Sequence, residues 1–228
     1  MINVVQFSGG KDSTCMLLMM LEKGIPVDKI VFCDTGKEFP QMYEHISKVE
    51  DYISKNYNKT IEVVREPRGF DYWMFDHIKT KGKNKGEKGY GWANSGIRWC
   101  TKYLKTWICN KYLKGLEYTN YIGIAYDEPL RHERIKDNEV HPLYEWGITE
   151  KEALEYCYSK GFDWGGLYEI FDRVSCWCCP LKSIKELRIL YDNFPELWAE
   201  LKEMDNHSPN QFHSRYSIQD LENRFSAV

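Results

Sequence analysis

The sequence predicts an α/β fold with an open, mainly parallel sheet flanked by helices, followed by a helical C-terminal addition. Short apolar segments that favour strands alternate with segments of helical periodicity through the first part of the chain, and this alternation is typical of a parallel sheet. The segments 2–7 and 29–33 are apolar almost throughout, as expected of strands buried on both faces. A glycine-bearing turn directly follows the first segment, at the point where an open parallel sheet binds its ligands.

The remaining elements follow from the same signals. Strands are predicted at 2–7, 29–33, 60–64 and 118–125. Helices are predicted at 12–21, from Pro40 onward, at 97–113, from a capping box at Thr149 and Glu152 to about residue 160, and from Ser183 onward. The stretch 79–91 is rich in lysine and glycine, so it cannot build a core and is predicted to be a mobile loop.

Composition limits the class of protein. The chain has 228 residues, a formal net charge of −3 and no apolar run of the ~20 residues that a membrane span needs. The net charge predicts no general affinity for nucleic acid. Met1 leads directly into a strand without an export signal, so we expect a cytoplasmic protein. Its eight cysteines are then not a disulfide framework. We expect a nucleotide-binding α/β domain at 1–148 and a cysteine-containing helical region packed on it at 149–228.

The turn after the first strand has the composition of an anion-binding site. Glycines let the backbone approach a ligand closely, and the helix that follows offers unpaired N–H groups and the positive end of its dipole. Two serine hydroxyls and a lysine add further donors. The candidate phosphate-binding residues are Ser8, Gly9, Gly10, Lys11, Asp12 and Ser13.

This turn resembles the PP-loop of the N-type ATP pyrophosphatase superfamily, and further segments resemble the phosphoadenosine phosphosulfate (PAPS) reductase family within it. They are DTGKEFP (34–40), RWCTKYLK (98–105), GIAYDEPLR (123–131), HPLYEW (141–146) and CWCCP (176–180). The resemblance implies a Rossmann-like (HUP-type) sheet and an adenine nucleotide as ligand. Ala125 and Pro129 depart from the arginine and serine usual in the family, which puts contacts to the sulfate-side phosphates in doubt.

The resemblance also implies roles for individual residues. It makes Lys11, Asp12 and Arg131 catalytic. It adds further nucleotide contacts at Asp34, Thr35, Gly36, Arg98, Lys105, Gly123, Asp127 and Glu128.

A cysteine pair predicts a metal or cluster. Cys176 and Cys179 form a C-x-x-C that can place two thiolates on one centre, and Cys100 is the natural third ligand. Adenylyl-sulfate reductases with a [4Fe-4S] cluster resemble this pattern, although Thr101 replaces their fourth cysteine. Three interpretations stay open: a [4Fe-4S] cluster with an open iron, zinc with Cys178, His132 or His207 as fourth ligand, or buried structural thiols.

Three functions are compatible with these residues. The first is reduction of PAPS or adenylyl sulfate to sulfite, with a thioredoxin-like electron donor. The second is cleavage of ATP, with Mg²⁺, to adenylate an acceptor that then receives sulfur from a donor, as in RNA or DNA thiolation. The resembling reductases carry a nucleophilic cysteine in a C-terminal tail, and this chain has no cysteine after Cys179, which favours the second. The third is a non-catalytic nucleotide-binding module. The Lys79–Lys88 loop is a candidate contact for RNA or DNA, and a homo-oligomer stays open.

Overall fold

The computed structural model describes residues 1–227, which form two compact units built from alternating stretches of the chain. The first, called unit 1, comprises residues 1–33, 40–64 and 109–168. Unit 2 comprises residues 34–39, 65–108 and the described chain from 169 onward. The division predicted at residue 148 stays a prediction.

A five-stranded sheet has the order β3-β2-β1-β4-β5. The strands are β1 Ile2–Gln6, β2 Lys29–Asp34, β3 Glu62–Arg65, β4 Tyr118–Ile122 and β5 Glu139–Val140. β1 pairs in parallel with β2 and β4, and β4 pairs in parallel with β5. Val4 and Val5 in the central strand are fully buried, which explains the apolar run in the sequence. The predicted α/β class with a mainly parallel sheet is confirmed.

Helices alternate with the strands and then dominate the C-terminal part. They are α1 Lys11–Glu22, α2 Pro40–Tyr57, α3 Gly69–Asp71, α4 Ile108–Tyr112, α5 Pro129–His132, α6 Pro142–Glu145, α7 Glu150–Ser159, α8 Leu167–Ile170, α9 Ile184–Asn193, α10 Pro195–His207 and α11 Ile218–Ser226. Wider π-helical turns occur at Tyr72–Asp76 and Thr101–Trp107, and a 3₁₀ turn at Trp164–Gly166.

Within unit 1, α1 packs against α2, α6 and α7. The buried face of α1 includes Met16, Leu17 and Leu18, each at most 1% exposed. This packing fixes the first turn of α1 beside the first turn of α7. Within unit 2, α9 packs against α10 and α11, and the rings of Phe39, Phe171 and Phe194 lie within 6.2 Å of one another between centroids.

Several element boundaries differ from those predicted. β4 ends at Ile122 rather than residue 125, and the two-residue β5 has too short a pattern to be seen in the sequence. The helix predicted at 97–113 runs from Trp99 to Tyr112, but its middle is π-helical. The capping box at Thr149 and Glu152 is formed as predicted. Among residues 1–227, no helix combines the length and apolar composition that crossing a bilayer demands.

Candidate functional site

The Ser8–Ser13 turn brings its polar groups together at the start of α1. Gly9 adopts φ +80°, and a Cβ there would lie 2.7 Å from the Met42 sulfur, so only glycine fits. The hydroxyls of Ser8 and Ser13 lie 3.0 Å apart, and the Ser13 hydroxyl donates to the Gly10 carbonyl at 3.0 Å. Gly10 is the N-cap and offers no side-chain cap, so the N–H groups at the start of the helix, apart from that of Lys11, which donates to the Tyr168 hydroxyl, can serve an anion.

Lys11 is the buried cation of this turn. Its Nζ lies 2.9 Å from Glu150 Oε1 and 3.2 Å from Asp12 Oδ2. Burial alone would lower the pKa of Lys11, but the two carboxylates outweigh it and raise that pKa, so the ammonium stays charged. Burial raises the pKa of Asp12 to about 6, and the charge of Lys11 offsets this only in part. Asp12 Oδ1 is buried with no hydrogen-bond partner among the described residues.

Three carboxylates converge beside Lys11. Oxygens of Asp12, Glu128 and Glu150 all lie within 4.8 Å of one another, an arrangement that could hold a divalent cation. Asp127 fixes the start of α7, because its Oδ1 accepts the Glu150 N–H at 3.0 Å. Arg131 is exposed, and its Nη1 donates to both Glu128 oxygens at 2.6 and 2.7 Å. In this structure Arg131 is therefore paired with a carboxylate of its own chain.

Gly123, directly after β4, presses on the turn. A Cβ at this position would lie 2.8 Å from the Asp12 carbonyl carbon and 2.8 Å from the Ser13 nitrogen. These are backbone atoms, so a side chain could be admitted only by moving the turn. The segments 8–13 and 123–131, which follow the neighbouring strands β1 and β4, are thus in contact at Gly123.

Three residues that the sequence did not single out hold the turn in place. The Tyr168 hydroxyl accepts the Lys11 N–H at 3.0 Å, and Trp164 Nε1 donates to the Gly9 carbonyl at 2.7 Å. The buried His45 ring stacks on Trp164, with 4.2 Å between centroids, and its Nε2 lies 3.1 Å from the Thr14 hydroxyl. The Tyr168 and Trp164 contacts join residues more than 150 positions apart in the sequence, so no local pattern predicts them. The aromatic-rich composition of 162–168 was the only signal that could have drawn attention to this segment.

The predicted 34–36 segment lies in unit 2 as a tight turn. The buried Asp34 carboxylate accepts the Gly36 N–H at 2.8 Å and pairs with Arg65 at 2.6 Å. The Thr35 hydroxyl accepts the Lys37 N–H at 3.3 Å. Asp34 therefore shapes the turn and binds a cation of its own unit, whereas its predicted contact to adenosine stays a prediction.

Cys176 contacts residues of the same turn. Cys176 Sγ donates to the buried Glu38 carboxylate at 3.4 Å and lies 3.7 Å from the Thr35 hydroxyl. Lys105 Nζ is 3.4 Å from the same Glu38 oxygen, and this pairing raises the pKa of Lys105 despite the opposing effect of burial. Burial, reinforced by the negative charge of Glu38, raises the pKa of Cys176 to about 12.

The remaining predicted ligands are placed as follows. The C-x-x-C forms a turn in which the Cys179 N–H donates to the Cys176 carbonyl at 3.1 Å. Burial raises the pKa of Cys100, and Cys179 lies near enough to add to that effect. Among residues 1–227, the three cysteines do not form a group whose sulfurs all lie within 4.8 Å.

The two candidate histidines have other partners. His132 Nδ1 lies 3.0 Å from His141 Nδ1, and His207 Nδ1 lies 2.8 Å from the Glu203 carbonyl oxygen. Neither joins the cysteines in a ligand group within the described part of the chain. Arg98 is exposed just before the helical segment that begins at Trp99.

Comparison with known proteins places the chain among relatives. It is 27% identical over 221 residues to an uncharacterised protein of Methanocaldococcus jannaschii, covering 86% of this chain and 40% of that protein. It is 32% identical over 149 residues to an uncharacterised nin-region protein of Escherichia phage lambda, covering 58% of this chain and 50% of the phage protein. The chain thus spans half or less of the length of these curated relatives.

A solved structure and a family model also match. The crystal structure of PAPS reductase from Candida auris, a phosphate complex, matches with a TM-score of 0.49 and 16% identity, over 78% of this chain and 82% of that one. The model of the phosphoadenosine phosphosulfate reductase domain matches residues 2–182. Since that match covers most of the chain, including the Ser8–Ser13 turn and the C-x-x-C, the protein belongs to the phosphoadenosine phosphosulfate reductase domain family.

Proposed function

We propose that this protein is an adenine-nucleotide-dependent enzyme of sulfur metabolism that binds the nucleotide phosphates on the Ser8–Ser13 turn. The observation that carries the proposal is the buried Lys11 ammonium at the open start of α1, beside two serine hydroxyls 3.0 Å apart. Together these groups supply the cation, the hydroxyl donors and the helix terminus that phosphate oxygens require.

The charges around Lys11 favour ATP with Mg²⁺ over PAPS. Lys11 is already paired with Asp12 and Glu150, and Glu128 completes a group of three carboxylates. An anionic phosphate chain approaching these carboxylates alone would be repelled. A divalent cation relieves that repulsion, because it binds carboxylate and phosphate oxygens at once. Magnesium accompanies a triphosphate, so the carboxylates are consistent with ATP as substrate.

In this reaction an oxygen of an acceptor attacks the α-phosphorus of ATP. A new oxygen–phosphorus bond forms while the bond to the α–β bridging oxygen breaks, and pyrophosphate leaves with that electron pair. Lys11 and the N–H groups at the start of α1 offset the growing negative charge. Hydrosulfide then attacks the activated carbon, AMP leaves, and the new carbon–sulfur group loses its proton to solvent. Arg131 can serve the nucleotide once it exchanges Glu128 for a phosphate.

Reduction of PAPS or adenylyl sulfate is the second candidate, favoured by the family to which the chain belongs. This reaction requires a thiolate to attack the sulfonate sulfur. Cys176 and Cys178 are poor nucleophiles, because burial raises the pKa of both thiols. A thioredoxin-like partner would have to supply the electrons.

We propose Cys100, Cys176 and Cys179, all in unit 2, as the ligands of a [4Fe-4S] cluster. Thiolates on one zinc ion, at about 2.3 Å each, lie within about 4 Å of one another, and these three sulfurs are not so tightly grouped. A cluster spreads its ligands over separate irons. The unit also places Lys37, Lys105 and Lys182 within electrostatic reach of its cysteines, which would offset the charge of thiolates. Such a cluster, when bound, supplies an open iron for sulfur chemistry.

A nucleotide panel tests the proposal. Calorimetry on the whole chain would compare ATP, AMP, adenylyl sulfate and PAPS, each with Mg²⁺ and with a chelator, and a coupled assay would follow pyrophosphate release. We expect ATP to bind only with Mg²⁺, and Lys11→Met to abolish binding while the exposed-site control Lys55→Met binds normally.

The outcomes separate the candidates. Tight binding of PAPS without a metal ion would instead support the reductase. Binding of ATP without turnover, with every acceptor tried, would support a non-catalytic nucleotide-binding module. Failure of every nucleotide to bind would overturn the assignment of the Ser8–Ser13 turn.

A further inference from the structure

We propose that a surface of unit 2 binds single-stranded RNA. It consists of a lysine hairpin, residues 78–88, and an aromatic platform, which comprises the partly exposed rings of Tyr72, His77, Tyr90 and Tyr103 around the buried Trp73. This inference rests on the proposed function in its sulfur-transfer form, because it names the class of acceptor. RNA binding is measured without nucleotide, so the two proposals can fail separately.

The lysine hairpin is a built structure with unneutralised charge. An antiparallel bridge joins Ile78 to Lys88, and the Lys79 N–H donates to the Glu87 carbonyl at 2.9 Å. Residues 81–88 are all exposed. Glu87, the one acidic residue of the hairpin, pairs with Lys79 at 3.2 Å.

The other four lysines of the hairpin have exposed charges that no carboxylate of the described residues pairs with. Within residues 1–227 no carboxylate lies within ion-pair distance of Lys81, Lys83, Lys85 or Lys88. A flexible lysine needs no fixed geometry to neutralise a phosphate, so this row suits a polyanionic backbone.

Within the aromatic platform the rings of Trp73, Tyr90 and Tyr103 are nearly parallel, whereas Tyr72 stands across Trp73 at 85°. Tyr103 stacks on Trp73 with 4.2 Å between centroids and 8° between planes, and His77 stacks on Tyr90 at 5.0 Å and 23°. The Tyr90 and Tyr103 hydroxyls lie 3.3 Å apart, which holds the two rings in register. Rings arranged in this way accept a nucleobase on their exposed face at small entropic cost.

Two cations border the platform. The Arg68 guanidinium lies 4.5 Å from the centre of the Trp73 ring and 4.6 Å from that of Tyr72. Lys102 Nζ lies 5.1 Å from the centre of the Tyr103 ring. Each could contact the phosphate next to a stacked base, and Arg68 also presents a plane on which a base can stack.

Backbone hydrogen bonds join the hairpin to the platform. The Gly89 N–H donates to the His77 carbonyl at 2.8 Å, the Tyr90 N–H to Trp73 at 3.0 Å, and the Gly91 N–H to Met74 at 2.9 Å. A Cβ on Gly89 would lie 2.3 Å from the Met74 carbonyl oxygen, so the close approach depends on glycine. Backbone hydrogen bonds therefore link the charged row directly to the rings.

This combination favours a single-stranded nucleic acid over a duplex. In a duplex the bases are paired and stacked, so aromatic rings outside the grooves find no free face. Unpaired bases of RNA loops are the usual partners of aromatic and arginine planes in proteins. A loop whose charge served only solubility would not need to be hydrogen-bonded to an aromatic surface.

The experiment measures anisotropy of a fluorescent, unstructured RNA of about 20 nucleotides, from about 50 to about 200 mM salt. The first variant changes Lys81, Lys83, Lys85 and Lys88 to serine. Its control changes four exposed lysines elsewhere, namely Lys48, Lys55, Lys151 and Lys185. The second variant is Tyr90→Leu with Tyr103→Leu, matched by Tyr112→Leu, and far-UV circular dichroism checks folding.

We expect the hairpin variant to lower the slope of log affinity against log salt by about 3, since each lost phosphate contact removes about 0.7. The ring variant should weaken binding by roughly 5- to 100-fold with the salt slope unchanged. Both controls should bind like the wild type.

The proposal is overturned if wild type does not bind the RNA, if the hairpin variant binds as tightly as its control, or if duplex DNA of equal length binds equally well. Equal affinity for single-stranded DNA would overturn the choice of RNA. A loss of pyrophosphate release with RNA binding intact would instead count against the proposed function alone.

Discussion

Asp12 is held in an environment that opposes its charge. Its carboxylate is buried beside Glu128 and Glu150, and one of its oxygens has no partner among the described residues. Because burial raises its pKa from an ordinary value of 3.8 to about 6, Asp12 costs the free protein stability as the pH rises from about 4, and the full cost is present above about pH 6. Such a cost is expected where a residue is kept for a ligand.

We therefore expect Asp12→Asn to stabilise the free protein while impairing nucleotide binding. The free energy of unfolding at about pH 7.5 should increase by roughly 1 to 3 kcal/mol, measured by urea denaturation with a chelator present. The exposed Asp51→Asn is the control. If Asp12→Asn lowered stability, the carboxylate would be a structural anchor, and its assignment to the ligand would lose its support.

His45 gives a pH-dependent prediction. Burial lowers its pKa from 6.5 to about 3, so the folded state holds the ring neutral while the unfolded chain protonates it. The stability that His45 confers is present above about pH 6.5 and is lost as the pH falls towards 3. Between about pH 7 and pH 5 the loss should be about 2 kcal/mol.

Denaturation of His45→Gln across this range measures the effect. The variant should lose about 2 kcal/mol less than the wild type between the two pH values, although it is less stable overall because it lacks the stack on Trp164. His207→Gln, at an exposed site, should keep the wild-type slope. A wild-type slope in His45→Gln would mean that other groups control acid unfolding.

Residue types and spacing indicated which segments form the candidate site, but not the distant residues that hold the Ser8–Ser13 turn in place. Ser8–Ser13 and Gly123 are in contact because they follow neighbouring strands of a parallel sheet, while their predicted role in nucleotide binding stays a prediction. Glu150 and Tyr168 contact Lys11 from residues 139 and 157 positions away. Those contacts depend on how α7 and α8 pack, and packing partners leave no periodic signal in one sequence.

At the level of elements, local signals predicted the long helices and four of the five strands, but not β5 or the short helices α3, α5, α6 and α8. Capping boxes at Thr149, Ser183 and Ser217 each start a helix, and the sequence predicted the first box and a helix from Ser183 onward. The π-helical turns at Tyr72–Asp76 and Thr101–Trp107 were not predictable, because a wider turn uses the same residues as an α-helix and arises from tertiary packing.

The cap of α9 provides a quantitative test. The Ser183 hydroxyl accepts the Glu186 N–H at 3.2 Å, and the Glu186 side chain accepts the Ser183 N–H at 2.7 Å. Ser183→Ala should cost about 1 kcal/mol of unfolding free energy, and Ser183→Gly only a few tenths. Urea denaturation compares both with Ser54→Ala on the exposed face of α2. Equal costs for alanine and glycine would show that the hydroxyl does not act as a cap.

At the scale of the whole molecule, the sequence did not predict that the two units are built from alternating stretches of the chain. Residues 34–39 and 65–108 cluster with the C-terminal part, while the division predicted at residue 148 stays a prediction. The chain passes from one unit to the other five times, after Cys33, Phe39, Val64, Ile108 and Tyr168. As a result Cys100, Cys176 and Cys179 fall into one unit although 75 residues separate Cys100 from the Cys-Trp-Cys-Cys segment.

That placement leads to a test on the whole chain. We expect protein purified without oxygen to contain about four irons and four acid-labile sulfides per chain. Cys100→Ser, Cys176→Ser and Cys179→Ser should each remove most of both, since a cluster with three thiolate ligands tolerates the loss of none. Cys15→Ser and Cys109→Ser, both in unit 1, are the controls and should keep full iron and sulfide. One zinc per chain without sulfide, lost in the same three variants, would replace the cluster by a zinc site. Iron and sulfide that survived all three substitutions would remove these cysteines from the metal centre altogether.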